Sequence, residues 1–240
     1  MTLSRRLGAE ALGTAFLLAV VVGSGIMGER LAGGNAAIAL LANSIATGCG
    51  LWVLITILAP ISGAHFNPAV TLAFATAGEI AWRDVLPYVT TQIVFAFVGV
   101  AAAHLMFELP VFTASEHVRA GPSQWWSEVV ATSGLLLTIL LGLRVRPTWV
   151  GGLVAIYITG AYWFTASTSF ANPAVTLARA ATNTFAGIRP DDVPGFVVAE
   201  LAGACAAIAF ARWLYGAPTR SASRQPAVRS ALDEGRAPEP

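Results

Sequence analysis

Long apolar runs, broken at short polar intervals, set the architecture of this chain. They predict helices at roughly 8–28, 36–58, 85–107, 125–143, 148–166 and 194–215. Each approaches the ~20 residues an apolar helix needs to cross a hydrocarbon layer. Two further apolar segments, about 67–77 and 172–182, are too short to cross. Both open on Asn-Pro. Asn is a good helix N-cap, and Pro suits the first helical position, where no backbone donor is needed. These segments are expected to be half-helices that dip into a membrane, where re-entrant backbone survives only packed in protein or lining a watery path. The predicted fold class is an all-α membrane protein of six transmembrane helices plus two re-entrant half-helices.

The two short segments are copies. His65-Phe66-Asn67-Pro68-Ala69-Val70-Thr71 matches Phe170-Ala171-Asn172-Pro173-Ala174-Val175-Thr176, and both copies continue Leu-Ala. The likeness extends outward: Glu10, Thr14, Leu17 and Leu18 align with Glu128, Thr132, Leu135 and Leu136 at one constant offset. Pro87 and Gln92 find counterparts in Pro194 and Glu200 at nearly the same spacing. Three spans plus a half-helix, twice over, place the halves in opposite orientation because three is odd. Residues 1–216 are expected to form one domain, with repeat 1 at about 1–115 and repeat 2 at about 120–216. Residues 217–240, polar and rich in Pro, Ser and Arg, read as a disordered cytoplasmic tail.

Composition agrees. The chain is 56% hydrophobic and 11% charged, with a mean hydropathy of +0.68. Soluble domains carry roughly a quarter charged residues. The net charge of +1 gives no reason to expect nucleic acid as a partner. All 14 basic residues are Arg. With both termini inside, Arg5, Arg6, Arg83, Arg144, Arg146, Arg212 and the four tail arginines face the cytoplasm, and Arg30, Arg119, Arg179 and Arg189 face out. That distribution obeys the positive-inside rule. Cys49 and Cys205 fall in apolar runs and read as buried small hydrophobes, neither a disulfide nor a metal pair. The first apolar run is too long for a cleaved signal and is expected to stay as the first span.

The half-helices carry the candidate chemistry. Entering from opposite sides, their N-termini should meet near the midplane, each with about half a positive charge. Together they raise the energy of any cation there, hydronium included. Asn67 and Asn172 can each offer an amide donor to a passing oxygen, orienting it so that a water file cannot relay a proton. The backbone before each Asn, at 62–66 and 165–171, is expected to be extended, with free carbonyls forming an acceptor ladder on one wall. Glu10 and Glu128 lie within spans, where a charge costs several kcal/mol. They are read as acceptors for the backbone of the two pore loops rather than as proton carriers, with Gln92 and Glu200 in similar structural work. His65 either lines the channel and senses pH or packs to hold the loop. His104 and His117 read as interface or loop residues. No cluster has metal-ligand spacing, no nucleophile–base arrangement occurs, and neither enzyme activity nor a cofactor is expected.

With Ser62-Gly63-Ala64 before the first block and Glu10-Ala11-Leu12-Gly13-Thr14 in the first helix, residues 1–216 resemble the major intrinsic protein family of aquaporins and aquaglyceroporins. The resemblance implies a right-handed six-helix bundle and a homotetramer with one pore per subunit. Faces at Gly203-Ala204 and at Gly99 with Ala101 to Ala103 would allow close helix approach. Most of the family place an arginine at the position held here by Val175. The next arginine, Arg179, stands four residues later, about 6 Å along the same helix face. It either presents charge to solute in the vestibule or pairs or snorkels at the interface. Spacing within the family carries the other filter positions to Thr47, Gly160 and Ser169. A filter of Thr47, Gly160, Ser169 and Val175 holds no aromatic ring, histidine or arginine, and is expected to be wide. The resemblance then implies passage of small neutral solutes: water, glycerol, urea, and arsenite and related metalloid hydroxides or organoarsenicals, the variant being similar to that of bacterial arsenic-resistance aquaglyceroporins. It implies a multi-pass protein of the bacterial inner membrane, with the lipid bilayer as its surroundings. A general glycerol/urea facilitator, a water channel without an arsenic role, a coupled secondary transporter and a closed packing protein are the alternatives.

Overall fold

In the computed structural model, which describes residues 1–216, eight α-helices and two single 3₁₀ turns account for the ordered backbone. They are α1 (Leu3–Leu31), α2 (Ala36–Ser62), α3 (Pro68–Ala77), α4 (Trp82–Met106), α5 (Pro122–Val145), α6 (Val150–Phe164), α7 (Pro173–Arg179) and α8 (Val193–Tyr215). The tail expectation, residues 217–240, lies outside the described residues. α1, α2, α4, α5 and α8 are long and apolar enough to span a bilayer. α6 is shorter than expected, at 15 residues. The 3₁₀ turn Pro147–Trp149 lengthens it at its N-terminus.

The helix ends follow local chemistry. Asn35 caps α2 by accepting from the Ala37 and Ile38 amides. α2 and α3 stop at Gly63 and Gly78, whose φ of 92° and 78° reverse the chain in the left-handed region. α3 and α7 each carry Asn at the N-cap and Pro at the first helical position. α7 ends at Arg179, three residues short of expectation.

The packing repeats as the sequence does. α1 lies against α2 and α4, and α5 lies against α6 and α8, while α2 against α6 joins the halves. α3 packs on α4 and α8, and α7 packs on α8 and α4. Leu18 and Leu136, partners under the repeat, are both wholly buried. Gly99 lets α4 approach α1 until it faces the Ala15 carbonyl, and Gly203 does the same for α8 at the Val129 carbonyl. These are the close approaches expected of small residues between membrane helices.

The distribution of polarity is inverted relative to a soluble protein. The outer surface exposes Phe16, Ile45, Val53, Ile57, Val98, Ile156 and Val198. Trp82, Trp126, Trp149, Trp163 and Trp213 stand exposed near helix ends, where indole rings favour the membrane–water interface. Inside, Glu10, Thr14, Gln92, Glu128, Thr132 and Glu200 are fully buried. Cys49 and Cys205 also lie on the exposed outer surface, so the expectation that they are buried fails. In a membrane protein an apolar residue is stable facing lipid, so hydrophobicity alone does not assign it to the core.

Candidate functional site

The two pore loops are not simply extended. Ala64 and Phe66 take left-handed φ of 50° and 49°, and Ser169 and Ala171, their counterparts in the repeat, take 53° and 49°. This alternation turns the loop amides to one side. The His65 and Phe66 amides donate to Glu10 at 2.9 and 2.7 Å, and Ser62 Oγ and Gln92 Nε2 add donations of 2.7 and 2.8 Å. In the second half the Phe170 and Ala171 amides donate to Glu128 at 2.9 and 2.7 Å. The two buried carboxyls therefore accept from the amides of both loops. Turning the amides away leaves the carbonyls of residues 63–65 and 168–170 without a protein donor among the described residues. The acceptor ladder is built by left-handed kinks rather than by plain extension.

The half-helices meet N-terminus to N-terminus. Asn67 Oδ1 accepts from the Ala69 amide, and Asn172 Oδ1 from the Ala174 and Val175 amides. Each Nδ2 crosses to the other loop: Asn67 donates to the Ala171 carbonyl at 2.7 Å, and Asn172 to the Phe66 carbonyl at 2.8 Å. An amide nitrogen has two hydrogens. One fixes the ring of loops, and the other is left for the cavity that both Asn residues line. Pro68, Ala69, Pro173 and Ala174 are buried behind them.

That cavity runs between the halves. Leu17, Val21, Leu51, Leu135, Ile139 and Val154 give it an apolar wall, opposite a loop wall of Ala64, His65, Ser169 and Phe170. Of the residues carried over as a filter, Thr47, Ser169 and Val175 line it. Gly160 does not: it is exposed, and a Cβ there would meet nothing within 4 Å. The inward stripe of α6 is Val154, Ile158 and Tyr162, and Tyr162 OH lies 3.2 Å from Thr47 Oγ1. Counting back from Asn172 assumed a fixed loop length. An error of two residues rotates a helical position by about 200°, to the opposite face. Phe170 and Arg179 also line the cavity. Tyr162, beside Thr47, thus brings an aromatic ring to the place where Gly160 was expected, while Arg179 stands one turn beyond Val175.

Arg179 is almost wholly buried at the cavity wall and finds no carboxylate among the described residues. It is 2% exposed, donates from Nε to the Ala186 carbonyl, and holds its guanidinium carbon 3.4 Å from the centroid of Phe170. A second arginine stands beside the same ring. Arg119, in the connection between α4 and α5, places its guanidinium carbon 5.1 Å from the Phe170 centroid. It donates to the carbonyls of Gly187 and Ser167 at 2.8 and 3.2 Å. Burial lowers the Arg119 pKa, and nearby Glu128 opposes the shift; a guanidinium so placed stays charged at neutral pH. Sequence reasoning missed this use of Arg119, because its contacts come from residues distant in the chain.

The α4–α5 connection is itself laced to the segment that follows α7. Thr113 and Ser115 amides donate to the Ala181 and Ala180 carbonyls, and the Arg189 amide donates to the His117 carbonyl. Buried His104 bridges Pro110 O and Thr182 Oγ1 at 2.6 and 2.7 Å. His65 faces the cavity and is also packed, 3.1 Å from Thr71 Oγ1 and ring to ring with Phe74 at 4.6 Å. Among the described residues no group of three or more His, Cys, Asp or Glu is arranged to hold a metal.

The halves differ in the residue that packs behind each loop glutamate, although Gln92 Oε1 and Glu200 Oε2 are both buried without a donor among the described residues. Glu200 Oε1 accepts from Asn172 N at 3.1 Å and from Thr176 Oγ1, while Glu200 Oε2 has no donor among the described residues. In the first half the corresponding Gln92 donates to Glu10. Glu200→Gln should thus supply Glu128 with the donor that Gln92 gives Glu10. The variant is expected to unfold in detergent at a temperature equal to or above that of the parent, since an amide donor facing the Glu128 carboxyl replaces a second buried carboxyl there. A drop of more than about 5 °C would contradict that reading.

Residues 1–162 match the family described as Major intrinsic protein. An aquaglyceroporin, AqpS, of Rhizobium meliloti (strain 1021) is 58% identical over 229 residues, 95% of this chain and 97% of the relative. A probable glycerol uptake facilitator protein of Thermotoga maritima is 32% identical over 170 residues, 61% of this chain and 70% of the relative. The X-ray structure of the aquaglyceroporin from Plasmodium falciparum superposes with a TM-score of 0.70 at 21% identity, covering 88% of this chain and 95% of that one.

Proposed function

The chain belongs to the major intrinsic protein family, whose members are membrane channels and not enzymes, and from that premise we propose that it is a passive channel for small neutral hydroxylated solutes, glycerol-sized as well as water-sized. The observation that carries the reading is the lumen at the crossed Asn residues. There, two half-helix N-termini, free amide hydrogens and unpaired loop carbonyls face an apolar wall. A polyol can place its hydroxyls on the carbonyl side and its carbons on the apolar side. The same site is hostile to a cation, which would sit against two positive helix ends. A secondary transporter needs a coupling-ion site. Here Glu10 is spent on four donors, and Glu128 on two loop amides.

Val175 is the residue proposed to set the size limit. A methyl surface replaces the charged, hydrogen-bonding side chain that would otherwise narrow the filter. Glycerol and urea are then natural solutes. Arsenous and antimonous acid, neutral trihydroxides of similar size, are proposed on the same ground and on the sequence resemblance. The named relatives, an aquaglyceroporin and a probable glycerol facilitator, support the polyol part. Tyr162 favours the narrower alternative, a water channel, because its ring stands where a glycine was expected. We propose a homotetramer in a bacterial inner membrane with both termini inside, following the arginine distribution.

The test is Val175→Arg in proteoliposomes, with stopped-flow uptake of glycerol, arsenous acid and water. Glycerol and arsenous acid permeability should fall at least about tenfold, the equivalent of 1.4 kcal/mol, with water permeability changed less than about twofold. Wild-type vesicles that pass water alone would favour the water-channel alternative and remove the metalloid proposal.

A further inference from the structure

Two arginines gather at one mouth of the cavity, on the side of residues 107–121 and 180–192, called here the outer mouth. Arg179 follows Val175 by one helical turn and lines the same lumen. Only its Nε is bonded to protein among the described residues. Its two terminal amino groups have no protein acceptor there, and neither is among the polar atoms sealed from solvent. Arg179 lines the cavity, so these are the donors it can turn to the lumen. Arg119 behaves differently. Its donors are spent on Gly187, Ser167, Thr168 and Phe185, and its guanidinium lies against the Phe170 ring.

Neither arginine is within ion-pair distance of a carboxylate among the described residues, whose ion pairs all involve Arg6, Arg83 or Arg189. Two unpaired guanidiniums beside one ring repel each other and cost desolvation. Carbonyl acceptors and the ring face offset part of that cost. A purely structural brace would be served as well by a neutral donor. What a neutral donor cannot supply is a fixed positive potential across a narrow, low-dielectric opening, where a charge acts over several ångströms with little screening.

We infer that Arg179, braced through Phe170 by Arg119, restores at the outer mouth the positive charge that position 175 lacks, and so makes the pore reject cations while admitting neutral solutes of the same shape. Arg179 is on this reading a specificity-determining residue. Set one turn outward from Val175, it leaves the width of the filter free. Size limit and charge barrier are separated onto two residues of one helix face. The inference rests on the channel reading above, and adds a charge barrier to the one at the crossed Asn residues.

Urea and guanidinium are planar and nearly isosteric, and differ in charge. Their permeability ratio in proteoliposomes therefore reads charge selection apart from pore size or protein content. Wild type should pass urea and exclude guanidinium. Arg179→Met should raise the guanidinium-to-urea ratio at least about tenfold. Arg179→Lys, which keeps the charge, should stay within about threefold of wild type. The double variant Val175→Arg with Arg179→Met should return toward the wild-type ratio, which a lost brace would not. An Arg179→Met ratio equal to wild type with urea flux intact overturns the inference. So does a wild type that passes guanidinium as readily as urea, a result needing no variant at all. Absence of urea flux in wild type overturns the channel reading itself, and this inference with it.

Discussion

Glu10→Leu should abolish solute flux and leave little folded protein. The carboxylate accepts four hydrogen bonds of 2.7 to 2.9 Å, from Ser62, His65, Phe66 and Gln92, in a site with no solvent access. Leucine fills similar volume and satisfies none of them. An orphaned buried donor costs about 1–3 kcal/mol, and four of them approach the whole stability of an ordinary domain, about 5–15 kcal/mol. The loss falls on the loop that sets Asn67, so any protein that folds would lack the crossed bond from Asn67 to Ala171. Glu10→Gln keeps part of the acceptor capacity and should be milder. The check is the yield of monodisperse protein in detergent and glycerol flux per inserted channel. Wild-type values for Glu10→Leu would mean that the loop is held by other contacts.

Gly99→Leu should be equally severe for a different reason. A Cβ at Gly99 would overlap the Ala15 carbonyl and stand 2.7 Å from Leu18 Cβ, so α4 would have to part from α1. Overpacking ordinarily costs about 1–3 kcal/mol, but here the obstacle is backbone, which cannot change rotamer. α1 carries Glu10, and displacing it pulls on the pore loop as well. Gly160→Leu is the control. That position is open to the outside, with nothing within 4 Å of a Cβ, and both folding and flux should match wild type. The comparison is made by thermal unfolding in detergent and by flux in vesicles. A stable Gly99→Leu protein would contradict the packing described at this crossing.

The parts of this structure legible in the sequence are those written in local patterns. Apolar runs and Asn-Pro starts located the spans and half-helices, because each helix start carries its own chemistry within a few residues. The duplicated Glu10 and Glu128 were legible as loop anchors, because an isolated carboxyl in an apolar span must find donors and the pore loops are its nearest source of free amides. Thr47, Ser169 and Val175 came to the cavity where spacing placed them. Gly160 did not, since the count crossed a loop of unfixed length, whereas the Val154, Ile158 and Tyr162 stripe at intervals of four was available within the helix itself. Arg119 was not legible at all. Its partners at 167, 168, 185 and 187 are tertiary neighbours that no local pattern announces. The kinked loop backbone was missed for a related reason. Left-handed φ at Ala64, Phe66, Ser169 and Ala171 is imposed by the pull of the glutamates on successive amides, against the preference of the residues themselves.

The central claim is that an uncoupled pore passes neutral solutes of glycerol size. Stopped-flow glycerol uptake into proteoliposomes, measured across a wide range of gradients with and without proton and sodium gradients, tests it most directly. A rate well above protein-free vesicles, proportional to the glycerol gradient, unsaturated and indifferent to either ion gradient, is the predicted result. Uptake that saturates and follows an ion gradient, or uptake no faster than through bare lipid, would contradict it.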